Sequence, residues 1–369
     1  MTIPVNEPAL DENAFKYVEE CLKTGWISSS GKFIQAFEQK WAQYCGMDYG
    51  VAVCNGTAAL EAAMACLDLQ PGDEVILPTF TIISCALAVI EAGATPVLVD
   101  SNPRTWCMDV QQAAEKISPR TRAIMPVHIY GHPVEMQPIL ELAEKHGLSI
   151  IEDAAEAHGA EYKGRKAGSF GDMSCFSFYA NKIITTGEGG MVLTKSAALA
   201  ERLRSQRNLC FREDRRFFHT ELGHNYRMTN IQAAIGISQL ETIEQRIQRK
   251  RWMGQCYTQR LQDIPALQLP VEEPWARHVY WMYAIVLDES WGIDASQFAK
   301  ELKSRGIETR PFFLGMHEQP VFHQRGLFVN EHYPVAERIA RQGLYLPSGA
   351  TLTESQIDQV CEAVHEALR

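Results

Sequence analysis

Between about residue 50 and residue 195 the chain alternates short β-branched runs with stretches whose apolar residues recur every three or four positions. Val51-Ala52-Val53-Cys54 leads into a helical stretch at 58–64, and Glu74-Val75-Ile76-Leu77 into an apolar one near 82–91. The run 95–100 is followed by 109–117, the run 123–128 by 136–146, and Leu148-Ser149-Ile150-Ile151-Glu152-Asp153 closes the series. Short apolar runs of this kind read as strands buried on both faces, and the longer period as amphipathic helices. Strand, helix, strand at this spacing predicts crossover units, hence an α/β fold with a largely parallel sheet covered on both sides.

The pattern then changes. Residues 173–178 and 190–194 predict two strands joined by a glycine-rich loop, and residues 231–261 predict one long helix. Near Ile264-Pro265-Ala266 the chain turns into a smaller unit with a strand at 281–287 and helices near 296–305 and 354–368. This divides the chain into a large unit, 1–262, and a small C-terminal one, 263–369, with no internal repeat or low-complexity tract.

Composition narrows the partners. A 369-residue chain with 46% hydrophobic and 22% charged residues can bury a large core. Its net charge of -10 argues against nucleic acid, since no basic stripe offsets it. No apolar run is long enough to span a bilayer, and residues 1–8 carry neither the basic nor the apolar part of a secretion leader. Ten scattered cysteines form no CxxC pair. The expectation is a reduced, cytoplasmic protein without membrane partners.

Chemistry concentrates around Lys182, which sits between an apolar strand and the turn Gly187-Glu188-Gly189-Gly190. Burial there would depress its pKa and leave a neutral amine able to form a Schiff base with a carbonyl compound such as pyridoxal phosphate (PLP). Asn55-Gly56-Thr57 lies between a strand and a helix start, where free N–H groups suit a phosphate; for the triplet on its own, a plain N-cap is the favoured reading. Asp153 ends an apolar strand and can accept a hydrogen bond from a protonated pyridine nitrogen, or simply cap the next turn. Ser177 can add a hydroxyl to the phosphate or bond a strand neighbour. His128 and His132 are four apart, but Gly131 and Pro133 bracket the second, so the two make no metal motif and no metal is expected.

Taken together, Asn55-Gly56-Thr57-Ala58-Ala59-Leu60, Glu152-Asp153-Ala154-Ala155-Glu156-Ala157-His158-Gly159, Phe176-Ser177-Phe178 with Lys182, Thr186-Gly187-Glu188-Gly189-Gly190 and Asn225-Tyr226-Arg227-Met228-Thr229-Asn230 resemble the DegT/DnrJ/EryC1/StrS sugar aminotransferases. The likeness runs from Trp26-Ile27-Ser28-Ser29-Ser30-Gly31 to Leu346-Pro347-Ser348. It implies a PLP-dependent aminotransferase of fold type I, active as a homodimer with shared sites; pairing of dimers into tetramers stays open. By position, Lys182 binds the cofactor covalently and shuttles the proton, and Asp153 pairs with the pyridine nitrogen. Glu156 lies near the ring hydroxyl, while Gly56, Thr57 and Ser177 hold the phosphate. Either Asn225 or Arg227 reaches the partner's phosphate. Relatives often carry an aromatic ring where this chain has Ile82, so the ring face has only apolar cover here.

The segments Val127-His128-Ile129-Tyr130-Gly131, Asn225-Tyr226-Arg227-Met228-Thr229-Asn230 and Arg310-Pro311-Phe312-Phe313 are most similar to those of members that make GDP-perosamine. That implies L-glutamate as amino donor and GDP-4-keto-6-deoxy-D-mannose as acceptor, aminated at C4 for a surface polysaccharide. A UDP- or dTDP-linked keto sugar is the alternative acceptor, and a PLP-binding regulator without catalysis is the rival of another class. Trp26, Arg310 and His317 are candidate contacts to the nucleotide sugar.

Overall fold

The computed structural model describes residues 2–212 and 214–368. Two amphipathic helices, α1 (Glu12–Thr24) and α2 (Lys32–Cys45), come first, each stopped by a glycine in the left-handed region, Gly25 and Gly46. Strand β1 (Tyr49–Val53) then leads into α3 (Gly56–Ala65), β2 (Glu74–Pro78), α4 (Ser84–Glu91) and β3 (Thr95–Val99). The alternation continues through α5 (Val110–Glu115), β4 (Thr121–Ile124), α6 (Met136–His146) and β5 (Ser149–Asp153). A short hairpin, β6 (Glu161–Tyr162) and β7 (Arg165–Lys166), precedes β8 (Met173–Ser177), β9 (Gly190–Thr194) and α7 (Ala197–Gln206).

The central sheet has seven strands in the order β1-β9-β8-β5-β4-β2-β3. Pairings among β8, β5, β4, β2 and β3 are parallel, as the crossover pattern requires. Strand β9 runs against both of its neighbours, β1 and β8. That reversal follows from the connection: β8 and β9 are joined by a loop rather than a helix, so the chain turns straight back. It also brings the loop to the carboxyl edge of the parallel strands, beside the ends of β1, β5 and β8.

Residues 231–261 are not one helix. They form α8 (Asn230–Glu241) and α9 (Ile243–Leu261), broken at Thr242, whose backbone leaves the helical region (φ -117, ψ 14). Thr229 starts α8 with a reciprocal capping box to Gln232. Beyond α9 come β10 (Leu267–Gln268), β11 (Ala276–Arg277) and β12 (Tyr283–Leu287). Strand β12 starts two residues later than the apolar run suggests, because Tyr280 is held at φ 47, outside the extended region. Helix α10 (Ala295–Ser304), β13 (Arg310–Pro311), α11 (Pro320–His323), α12 (Pro334–Gln342), β14 (Gly343–Leu346) and α13 (Glu354–Ala367) complete the chain.

A second sheet, β10-β12-β14-β13, packs with α10 and α13 into its own core of Tyr283, Ile285, Phe298, Leu302, Val360 and Val364. Ile3 and the last turns of α9, with Met253, Tyr257 and Leu261, belong to that core as well. Helix α9 therefore ties the large layer to the small one. No helix among the described residues is long and apolar enough to cross a membrane.

Candidate active site

Side chains from both layers meet around a cavity of about 530 Å³ at the carboxyl edge of the central sheet. Lys182, Asp153, Glu156, Gly56, Thr57, Ser177 and Ile82 all line it. Each arrives there for a local reason. Lys182 lies in the loop between β8 and β9, closed by Phe178 N–H on Gly189 O (2.8 Å) and Thr186 N–H on Phe178 O (2.9 Å). Thr185 Oγ1 donates to Phe178 O and accepts from Gly187 N–H. Gly187 takes a φ of 82, which a side chain would oppose.

The helix start at one end of the cavity is built for an anion. Asn55 caps α3 through Oδ1, which accepts Ala58 N–H at 2.8 Å. The first N–H groups of a helix, here those of Gly56 and Thr57, have no acceptor within the helix and carry the positive end of its dipole. Thr57 Oγ1 and Ser84 Oγ lie 2.8 Å apart. A Cβ on Gly56 would stand 2.7 Å from Ser177 Cβ, so only glycine lets the strand end and the helix start come together.

Asp153 is 3% exposed at the end of β5. Its Oδ1 accepts Ala155 N–H at 3.0 Å, and its Oδ2 accepts the Cys85 thiol at 3.1 Å. Burial and the Asp153 charge hold the Cys85 thiol well above its ordinary pKa, so it stays a donor. Glu156 Oε2 accepts Tyr130 N–H at 2.8 Å, and its Oε1 lies 3.9 Å from Lys182 Nζ. Burial pushes the Lys182 ammonium down, with the Glu156 and Asp153 charges opposing it. Burial pushes the Glu156 carboxyl up, against the pull of Lys182. Burial thus works against the charged form of both groups, and each charge opposes that effect on the other.

Other expected residues stand elsewhere. Trp26 is exposed after α1, and Arg310 sits on β13, lining a separate cavity of the small layer. His317 is buried, with Nδ1 2.8 Å from Thr79 Oγ1 and Nε2 3.3 Å from Glu337, which makes it a bracket between the layers. Asn225 and Arg227 precede α8 outside the cavity lining, Arg227 donating to Asn208 Oδ1 at 2.9 Å. His128 spends both ring nitrogens on Glu152 and Val134 N–H.

Reading the sequence did not find Cys85, Trp281, Tyr179, Phe313 or Tyr345 as site residues. Trp281 covers Lys182, with Nζ 3.7 Å from its ring centroid, and its Nε1–H donates to Asn181 O at 2.8 Å. Tyr179, Phe313 and Tyr345 line the same cavity. Trp281, Phe313 and Tyr345 come from the small layer and meet Tyr179 and Lys182 only where that layer closes over the sheet edge.

A primary amine, a carboxylate held by two donors and a helix start suited to a phosphate fit PLP in three chemically distinct contacts. Likeness to known proteins bears on that fit. A model of the DegT/DnrJ/EryC1/StrS aminotransferase family matches residues 8–365. The GDP-perosamine synthase of Caulobacter vibrioides is 45% identical, covering 99% of this chain and 98% of its own. That of Escherichia coli O157:H7 is 42% identical over 99% and 98%. The aminotransferase TlmJ from Streptoalloteichus hindustanus, 31% identical, superposes with a TM-score of 0.92 over 99% of this chain and 98% of its own.

Proposed function

The chain belongs to the DegT/DnrJ/EryC1/StrS aminotransferase family, and on that premise we propose that it moves the amino group of L-glutamate to C4 of GDP-4-keto-6-deoxy-D-mannose, making GDP-perosamine for a surface polysaccharide. The observation that carries this reading is the pairing of the buried amine of Lys182, its proton affinity lowered by burial, with Asp153 and the Gly56–Thr57 helix start around one cavity, in a chain so close to two GDP-perosamine synthases.

Each residue has a distinct task. The amine of Lys182 would hold the cofactor through its carbonyl carbon and is placed to move a proton at the substrate carbon. Asp153 would face the pyridine nitrogen, and the Cys85 and Ala155 donors hold its side chain in orientation. The N–H groups of Gly56 and Thr57, with the hydroxyls of Thr57 and Ser177, hold the phosphate. Glu156 faces the ring hydroxyl and, through Lys182, biases where a proton resides. Ile82, 43% exposed, supplies apolar cover to one ring face. When bound, PLP supplies the electron withdrawal that makes the substrate C–H bond acidic.

The site is completed in this reading by a second copy. Trp26, Ile27, Phe217, Phe218 and Leu222 are exposed apolar side chains that a homodimer would cover. Asn225 or Arg227 would then reach the neighbouring phosphate. The ten cysteines are free thiols, nine of them buried, which suits a reducing cytoplasm.

The test is borohydride reduction of the cofactor-loaded protein followed by peptide mapping. The pyridoxyl group is expected on the peptide holding Lys182, and Lys182→Ala should lose both that adduct and amino transfer. Turnover by Lys182→Ala at the native rate would overturn the reading.

A further inference from the structure

Lys250 is a lysine with 2% exposure in the middle of α9, and its Nζ has no carboxylate partner among the described residues. It donates instead to two main-chain carbonyls, Trp281 O at 2.8 Å and Ser348 O. A buried ammonium without a counter-charge is costly, and burial alone lowers this one to about 7. Even without its extra proton the amine retains two N–H donors, enough for both carbonyls.

What Lys250 holds is an unusual piece of backbone. Tyr280 sits at φ 47, a region that bulky residues avoid. Its conformation is fixed from three sides. His278 Nδ1 accepts Tyr280 N–H at 3.1 Å. A Cβ on Gly131 would come within 2.8 Å of Trp281 N, and a Cβ on Gly254 within 2.7 Å of the Tyr280 ring. Gly254 lies one turn beyond Lys250 on the same face of α9, so that face is shaped to receive residues 279–281. Strain of this kind persists only where surroundings over-determine it.

The strained segment ends on Trp281, whose indole lies over Lys182 and whose Nε1–H is tied to Asn181 O beside it. We propose that Lys250 is a positioning residue: by clamping the Trp281 and Ser348 carbonyls, it sets the Trp281 ring against the amine of Lys182 and so governs when that amine is free to bond. The ring acts on Lys182 in two opposed ways. It excludes water, which favours the neutral amine, and it offers a π-face, which favours the ammonium. Water solvates an ammonium better than an indole face does, so exclusion dominates. Loosening Trp281 therefore raises the proton affinity of Lys182. The other charged groups facing Lys182 are Glu156 and Asp153, and neither touches Lys250.

This inference rests on Lys182 being the cofactor-linking amine, and the experiment separates the two. Apoprotein is mixed with PLP across a pH series, capture is followed by absorbance, and the site is identified by borohydride trapping and peptide mapping. Only the neutral amine captures, so the midpoint reads the proton affinity of Lys182. Lys250→Met should raise that midpoint by about half a unit to one unit, and Lys250→Arg should restore much of it. Trp281→Leu should raise it similarly, and adding Lys250→Met to Trp281→Leu should shift it no further. Lys250→Gln carries the same comparison if the methionine variant does not fold. A lowered melting temperature with an unmoved midpoint would overturn the proposal and leave Lys250 a structural staple. Additive shifts in the double variant would also overturn it. Trapping at a residue other than Lys182 would overturn both this inference and the reading beneath it.

Discussion

Glu156 Oε1 lies 3.9 Å from Lys182 Nζ, with both side chains about nine-tenths buried, and each opposes what burial does to the other. The carboxyl favours the ammonium while burial disfavours it. Removing the charge by Glu156→Gln therefore lowers the proton affinity of Lys182 further, and PLP capture by the apoprotein should move to lower pH by about one unit. At pH 8, where the native Glu156 carboxyl is largely ionised, the variant should capture faster than the native chain. Stopped-flow absorbance measures this directly, and an unchanged or raised midpoint would contradict the pairing.

Cys85 supplies one of the two donors that hold Asp153. Cys85→Ala leaves a buried carboxylate oxygen without that donor, a loss worth about 1–3 kcal/mol. PLP should then bind roughly ten- to a hundredfold more weakly, while Cys85→Ser, which restores a stronger donor, should bind close to the native level. Fluorescence titration of the apoproteins checks the pair. Equal affinity for alanine and native would show that the thiol does not orient Asp153.

Gly56→Ala tests the phosphate cradle. The added methyl would meet Ser177 Cβ at 2.7 Å, and both atoms belong to main-chain segments that cannot move freely. Overpacking at such a site costs about 1–3 kcal/mol. Both the melting temperature and the affinity for PLP should fall, and the protective effect of added inorganic phosphate on melting should shrink. If phosphate still protects as before, the helix start is not where the anion binds.

Lys250 also makes a stability prediction. Its proton affinity falls from an ordinary 10.5 to about 7 in the folded chain, through burial. Between those values the unfolded chain binds more protons than the folded one, so stability rises with pH across the window. Below about 7 the full cost of burying the charge is present, and it fades toward 10.5. The native apoprotein should gain on Lys250→Met by at most about 1.4 kcal/mol per pH unit from pH 7 upward, and hold a constant difference below pH 7. Urea denaturation at pH 6, 7, 8.5 and 10 reads it. A difference that stays flat through pH 10 would contradict the burial argument.

Much of this site was legible from local pattern. The strand ends at Asp153 and Ser177 and the loop around Lys182 all follow from short-range alternation and glycine punctuation, and they meet because parallel strands present their carboxyl ends to one edge. Thr242, an ordinary β-branched residue, gave no sign that it would split the helix at 231–261. Trp281 read as the start of a strand, yet the left-handed turn at Tyr280 detaches it and swings it over Lys182. Such residues owe their place to contacts between the layers, through Gly131, Lys250 and Gly254, which no window along the chain contains. His317 stood as a candidate ligand contact, yet it bonds Thr79, far away in sequence, and Glu337, 20 residues on.

The most direct test of the account is a single amino transfer. Protein charged with amine from L-glutamate, then freed of excess donor, is mixed separately with the GDP- and UDP-linked 4-keto-6-deoxy sugars. Product is counted per site by mass spectrometry while the resting cofactor absorbance is followed. Close to one GDP-perosamine per Lys182 site is expected, with fast recovery of the absorbance from the GDP sugar and little from the UDP sugar. Fast recovery from the UDP sugar alone would contradict the acceptor. No product from either sugar, in protein saturated with PLP, would contradict amino transfer itself.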